Sequence, residues 1–516
     1  MKEGDKLHAA RLIQPSVQRG ATLAVWSIAA ASAALHLVLA GRYDVFRNEL
    51  YFIVCGRHPD FGYVDQPPLV PLLAAATQLM GDNIWLLRLP SVMASAALPL
   101  VTAALARSLG GGAVSAVLAA AAAALAPALA GFTTTLTTST FEPLAWTMCS
   151  YFLARAVAAD DRRAFLWAGA AAGVAMEAKY GIAMWLIGLA VGVVATPERR
   201  ILLWWQCWVA VALAALLAAP SLVWQAMHGW PFFSAQFQPA VAGWAYLGTP
   251  ASFAFWQIIR MNPVLSPLWL AGLVAPFLLD HLRSARFLSI AAVVATLIDY
   301  GGGGKDYYLF PVYPTLLAVG AVAFGEVARR MVAVWLAAAF ASFAVMAPAA
   351  LPILAPETLG PYLDRTGLRP PPNEWAAIGA PLTQLFSDEF GWRELERQVA
   401  SVYHSLPETD RRRATILASN YGEAAAIDIY GQSDGLPSAL SGDNQYFLWG
   451  THGFDGDIIV RIGGNPERWR RICQTVEAAT TFGVSYAMPY ENGRPIFICR
   501  GLQLPLGQIW PRFKRY

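Results

Sequence analysis

Residues 21–40 read ATLAVWSIAAASAALHLVLA, a run without a formally charged side chain. Its length is what an α-helix needs to cross a hydrocarbon core about 30 Å thick. Lys2, Lys6, Arg11 and Arg19 precede the run, and it continues into Arg42-Tyr43-Asp44 without a small-residue cleavage site. It therefore reads as a retained signal anchor, with residues 1–20 in the cytoplasm. The rest of the chain is similar in character. Of its 516 residues, 56% are hydrophobic and 14% charged, with a mean hydropathy of +0.44. Soluble domains have about 45–50% apolar and about 25% charged residues, so the composition predicts an integral membrane protein. A net charge of +3, with no basic run and no zinc-ligand spacing, excludes the nucleic-acid-binding classes.

Moving outward from residue 40 with a window of about 19 residues, apolar segments recur near 88–107, 112–131, 141–158, 163–178, 181–196, 201–226, 263–280, 287–300, 309–326 and 331–350. With the first, these predict about eleven transmembrane helices in a domain covering 21–355. Arg107, Arg155, Arg162, Arg163, Arg199, Arg200, Arg283, Arg286, Arg329 and Arg330 then fall on the cytoplasmic side, as the positive-inside rule requires. The odd count puts the tail outside. A linker over 356–372, ending in Arg369-Pro370-Pro371-Pro372, leads into residues 373–516. Fourteen Lys/Arg and 16 Asp/Glu lie after Pro370, an ordinary soluble density. Ala414–Leu417, Gln445–Trp449 and Ile458–Arg461 read as strands and Trp392–His404 as a helix, which predicts an external α+β domain. Cys473 and Cys499 are its only cysteines, and Phe497-Ile498-Cys499 reads as a strand able to return beside Cys473. In an oxidising compartment this predicts a disulfide.

The same count exposes 41–87 and 227–262 externally. The first contains Asp44-Val45-Phe46-Arg47-Asn48-Glu49-Leu50-Tyr51 and, after a short helix, Gly62-Tyr63-Val64-Asp65-Gln66-Pro67-Pro68-Leu69; Leu69–Met80 reads as a helix lying along the membrane interface. Two acid-bearing clusters at a membrane surface suit a site for a lipid-borne substrate, the alternative being solvated loop charge. The chain has five lysines. Lys179 and Lys305 are the two inside the membrane region, both on the external side, against the usual charge bias. They are candidates for binding a phosphate.

These residues resemble a known family. The Arg47-to-Tyr51 and Gly62-to-Leu69 patterns are similar to the first external loop of the GT-C glycosyltransferases of family 39, the ArnT-like enzymes related to protein O-mannosyltransferases and lipid A aminoarabinose transferase. The resemblance continues through Phe141-Glu142-Pro143, Lys179-Tyr180, His228-Gly229-Trp230-Pro231, Asn262-Pro263 and Lys305-Asp306-Tyr307-Tyr308. In the tail it includes Asn420-Tyr421-Gly422-Glu423 and Asn444-Gln445-Tyr446. It implies a bacterial inner-membrane enzyme that moves a sugar from a polyprenyl (undecaprenyl) phosphate to a lipid, glycan or protein acceptor on the periplasmic face. A first-loop carboxylate would be the general base, and basic and tyrosine side chains would hold the phosphate.

Two positions depart from the family pattern. Asn48 stands where an Asp is expected, and Glu142 where an Asp is expected. Asn48 cannot accept a proton, which leaves Glu49, Asp65 and Asp44 as candidate bases. A non-catalytic binder or translocator of lipid-linked sugars is the alternative function. The donor phosphate and sugar set is Arg47, Tyr63, Glu142, Lys179, Lys305, Tyr307 and Tyr308. The family sometimes places a metal between the Gly-Tyr-x-Asp region and a loop histidine. Here that would be a divalent ion on Asp65 and His228, although a hydrogen-bonded loop histidine is the preferred reading of His228. Trp230, Trp244 and Tyr246 are candidates for stacking on a sugar or for a membrane-interface belt.

Overall fold

The computed structural model describes residues 15–158, 160–237, 249–325, 329–372, 378–454 and 456–516. Lys2, Lys6, Arg11, Trp244 and Tyr246 lie outside them. The chain forms two compact units. One comprises Met1–Ala40, Arg88–Ala219 and Gly248–Ile353; the other comprises Gly41–Leu87, Pro220–Leu247 and Leu354–Tyr516.

The first unit is helical. Five helices of the described chain are long and apolar enough to cross a membrane: Gln18–Leu39, Ile84–Ser108, Trp205–Met227, Asp280–Gly301 and Arg330–Ala349. A sixth span arises if Pro250–Arg260 and Pro263–Leu278, bent by 95°, are taken together. This corrects the expected eleven. The apolar segment 112–131 is a helix over Ala113–Ala124 followed by a separate one over Pro127–Phe132. The segment 309–326 combines part of a 3₁₀ stretch, Asp306–Val312, with the helix Tyr313–Ala323. Segments 163–178 and 181–196 become helices of 15 and 13 residues. Hydropathy adds up residues, whereas a span needs unbroken hydrogen bonding. Pro127, Pro263 and Pro314 each sit in the first turn of a new element, where their missing N–H costs nothing.

Glycines allow these helices to meet backbone to backbone. A Cβ on Gly272 would collide with the Leu316 carbonyl, and one on Gly320 with the Leu268 carbonyl. Small residues at such crossings let dispersion contacts hold helices together where lipid removes the hydrophobic driving force.

The second unit joins the first loop to the tail. Its five-stranded sheet comprises β1 (Ala414–Ala418), β2 (Leu440–Ser441), β3 (Ile458–Ile462), β4 (Cys473–Phe482) and β5 (Arg494–Leu502), in the order β2-β1-β3-β5-β4. β1 runs parallel to β2 and β3, while β5 is antiparallel to β3 and β4. β1 and β3 are buried throughout, consistent with their mostly apolar content, in which Thr415 and Arg461 are the exceptions. β4 forms an edge and exposes most of its residues. Leu417, Leu440, Ile459, Trp469, Phe497 and Trp510 form the core beside the Cys473–Cys499 disulfide. Gln445–Trp449, read as a strand from its aromatic content, is instead a short helix between Asn444 and Gly450. Both flanking residues have positive φ, a backbone that no strand continues through.

A helix over Tyr421–Tyr430 connects β1 to β2. The Asn420 side chain caps it by accepting from the Gly422 and Glu423 N–H groups. Tyr421 and Asn444 therefore both lie just beyond the carboxyl ends of adjacent parallel strands, where α/β sheets commonly carry their sites.

Candidate active site

In the second unit, the helix Arg47–Arg57 is the first ordered element of the loop. Its acidic neighbours meet three different fates. Glu49 is fully buried and its carboxylate accepts the Phe46 N–H at 2.8 Å, closing the helix N-terminus. The bond it makes fixes the chain entry into the helix. Asp44 lies before the helix rather than on its face. It accepts the Val45 N–H at 2.8 Å and pairs with Arg393 at 3.5 Å.

Asp65 is held quite differently. One carboxylate oxygen, Oδ1, accepts the Tyr51 hydroxyl at 2.9 Å and the other, Oδ2, accepts the Asn444 amide at 3.1 Å. The Tyr51 hydroxyl in turn accepts the Gln445 backbone N–H at 3.1 Å, and the Val64 N–H donates to the Gln445 Oε1 at 3.0 Å. Burial pushes the Asp65 carboxyl up to about 7; the Tyr51 bond pulls it down, and Asp443 raises it further. A carboxylate poised near neutrality is suited to accepting a proton.

Asn48, one turn before Tyr51 on the same helix face, accepts the Tyr421 hydroxyl at 2.8 Å. The Tyr421 and Tyr51 rings lie 4.7 Å apart. Asn48, Asp65, Tyr421, Asp443 and Asn444 are all partly exposed, so this polar cluster is open to solvent at its surface.

Two members of the expected phosphate set are engaged elsewhere in this unit. Arg47 donates to the Tyr490 hydroxyl, lies 3.7 Å from the Asp388 carboxylate and stacks over Tyr421 at 5.1 Å. These contacts join the loop helix to the tail. Tyr63 is fully buried, donates to the Cys55 carbonyl at 2.9 Å and accepts the Asp60 N–H at 3.3 Å. His228 stacks on Trp224 at 3.9 Å, and the Trp224 indole donates to Asp60 at 2.8 Å. Among the described residues, no three His, Cys, Asp or Glu side chains converge as metal ligands.

The first unit gathers the remaining candidates. Lys179 follows the helix Ala164–Ala178 and donates to Glu142 at 2.6 Å and Ser139 at 2.9 Å, with Tyr308 4.9 Å from its ammonium. Lys305 is buried, 6.0 Å from the centre of the Tyr307 ring, and the Tyr307 and Tyr308 rings meet at 4.7 Å. Arg260 pairs with Asp306 at 3.1 Å. Asp299 lies within electrostatic range of Asp306, Lys179 and Glu142. Three cations and three carboxylates therefore offset one another.

Sequence reasoning missed Tyr51, Asn444, Arg260 and Asp299 as members of these clusters. Arg260 and Asp299 are, like Lys179 and Lys305, ionisable side chains within the membrane region, and that is the signal by which the sequence could have marked them. Asn444 stood within a resembling motif without a role attached.

The chain is thus a polytopic helical membrane protein with a mixed α+β domain, the second unit holding the Asp65 cluster and the first the cluster of Lys179, Lys305 and Arg260 with their carboxylates. Residues 65–224 match the family model described as dolichyl-phosphate-mannose-protein mannosyltransferase. The chain is similar to ArnT from Cupriavidus metallidurans bound to undecaprenyl phosphate, with 16% identity, a TM-score of 0.60 and coverage of 92% of this chain and 97% of that one. Against the apo state of the same protein the values are 16%, 0.62, 93% and 98%. No curated protein matches the chain by sequence. The chain therefore shares its fold with ArnT.

Proposed function

We propose that the chain is a glycosyltransferase that moves a sugar from a polyprenyl-phosphate carrier to a hydroxyl-bearing acceptor of the cell envelope, with Asp65 as general base. The observation that carries this reading is the Asp65 carboxylate, with Tyr51 on one oxygen and Asn444 on the other and its pKa raised to about 7. The acceptor hydroxyl gives its proton to Asp65 as its oxygen bonds to the anomeric carbon. The bond from that carbon to the phosphate oxygen breaks, and polyprenyl phosphate leaves with the electron pair. General-base assistance of this kind contributes about 10²–10⁴ in rate.

Lys179 and Lys305, with Tyr307 and Tyr308 beside them, are assigned to the carrier phosphate. Lys179 already holds Glu142, so a bound phosphate would share that ammonium rather than meet an unpaired charge. Asn48 contributes an amide and acts in acceptor contact, not as a base. The fold's likeness to a protein bound to undecaprenyl phosphate supports the carrier class. The Cys473–Cys499 disulfide supports an external, oxidising placement of the tail, in an inner membrane with the N-terminus inside.

Asn48 also favours a second reading, a protein that binds or moves lipid-linked sugars without transfer. The purified chain, given radiolabelled polyprenyl-phosphate sugar and a fractionated envelope acceptor pool, decides between them. Transfer of label to an acceptor supports the enzyme; saturable carrier binding without any labelled product supports the binder.

A further inference from the structure

Asp65 belongs to the first loop, but half of its hydrogen bonding comes from the tail, nearly 380 residues later in sequence. The Asn444 amide donates to Oδ2 at 3.1 Å, and the Gln445 N–H fixes the Tyr51 hydroxyl that serves Oδ1. Asn444 occupies this place at a cost. Its backbone sits at φ 47 and ψ −133, a region that glycine enters freely and side-chain-bearing residues rarely do. Such strain persists when the surroundings enforce it, and it concentrates at functional sites. If the turn after β2 required only this backbone shape, glycine would serve better. The presence of asparagine indicates that the amide is used.

The surroundings hold the turn in place. Just before it, Gly442 packs against the Phe513 backbone, where a Cβ would collide. Asp443 accepts the Tyr421 N–H at 3.2 Å. Both parallel-strand ends thereby present their side chains to the first loop, Tyr421 to Asn48 and Asn444 to Asp65.

We infer that Asn444 is a positioning residue for Asp65, and that the tail domain thereby completes the acceptor side of the site instead of serving as a separate binding module. The inference rests on the transferase reading above. Fixing a base within a few tenths of an ångström matters because misplacement by about 1 Å costs roughly a hundredfold.

The test uses the full chain in detergent with three forms: wild type, Asn444→Gly and Asn444→Ala. Glycine suits the backbone and removes only the amide, so a purely structural role predicts that Asn444→Gly behaves as wild type or is more stable. Positioning predicts a fall in kcat of about tenfold or more in both variants, with the KM for the polyprenyl-phosphate sugar within threefold of wild type. A second readout needs no turnover. Modification of Asp65 by a water-soluble carbodiimide at one fixed pH, followed on its own peptide by mass spectrometry, should accelerate several-fold when the amide is lost. Wild-type kcat in Asn444→Gly overturns the inference, as does a fall in kcat with unchanged labelling of Asp65. If wild type transfers no sugar at all, the transferase reading fails. The labelling rates then decide alone whether Asn444 holds Asp65, and equal rates in all three forms refute it.

Discussion

Replacing Tyr51 by Phe removes one oxygen atom and leaves the ring packed against Tyr421 at 4.7 Å. The lost hydroxyl donates to Asp65 Oδ1 at 2.9 Å, a bond that stabilises the ionised carboxylate and opposes the burial that raises its pKa to about 7. A hydrogen bond to a charged group is worth about 1.5–3 kcal/mol, and one pKa unit corresponds to about 1.4 kcal/mol. The Asp65 midpoint should therefore rise by roughly one to two units. Because the base must be ionised, transfer by wild type should increase as pH rises through about 7. In Tyr51→Phe the same limb should move to about pH 8–9, with a loss of roughly five- to fiftyfold at pH 7 that is recovered in alkali. The Gln445 N–H loses its acceptor as well, so the melting temperature should fall modestly. The assay is kcat/KM for sugar transfer from pH 5.5 to 10. An unmoved midpoint, or one displaced toward acid, would refute Asp65 as the titrating base.

Lys179→Met alone strands a buried carboxylate at Glu142, and breaking such a pair costs about 3–5 kcal/mol. The double variant Lys179→Met/Glu142→Gln should stay folded and bind polyprenyl phosphate about ten- to a hundredfold more weakly, measured by titration with the carrier. In the tail, burial and the neighbouring Glu423 hold the Glu491 carboxyl well above the usual range. A raised folded-state pKa contributes stability below the unfolded value and loses it as pH rises through the folded one. Glu491→Gln keeps a hydrogen-bond donor without the titration, so it should raise the melting temperature above wild type at pH 9 and change it little at pH 5. The Cys473–Cys499 bond closes a 26-residue separation, worth about 3–4 kcal/mol in the chain-entropy model. Reduction should destabilise the tail by that order, and the unreduced, denatured protein should leave both thiols unreactive to maleimide.

The membrane character and the α+β tail were legible because composition and strand alternation are local properties. Ala414–Leu417 and Ile458–Arg461 were recognisable from branched apolar runs that are buried on both faces. The number of spans was not, since a hydropathy window passes over the break at Pro127 and counts the 15- and 13-residue helices Ala164–Ala178 and Ile182–Val194 as full spans. Gln445–Trp449 was misread because its aromatic content suggests a strand, while the positive φ of its flanking residues is invisible to propensity. At the candidate site, the stretch Asp44–Asp65 was legible as an acid-bearing loop because its acids lie close together in sequence. The ranking of its acids was not available from sequence, because Glu49 and Asp65 differ only in their partners. Glu49 binds its own helix end, whereas Asp65 binds Tyr51 and Asn444, and the Asn444 contact spans a sequence distance that no motif spacing encodes.

The most direct test of the account compares single turnover of a radiolabelled polyprenyl-phosphate sugar by wild type and by Asp65→Asn under saturating carrier and acceptor. Asparagine preserves the shape and can still accept from Tyr51, so carrier affinity should stay within threefold of wild type. The transfer rate should fall by about 10²–10⁴. Transfer by Asp65→Asn at a rate within threefold of wild type would contradict the assignment of Asp65 as the base.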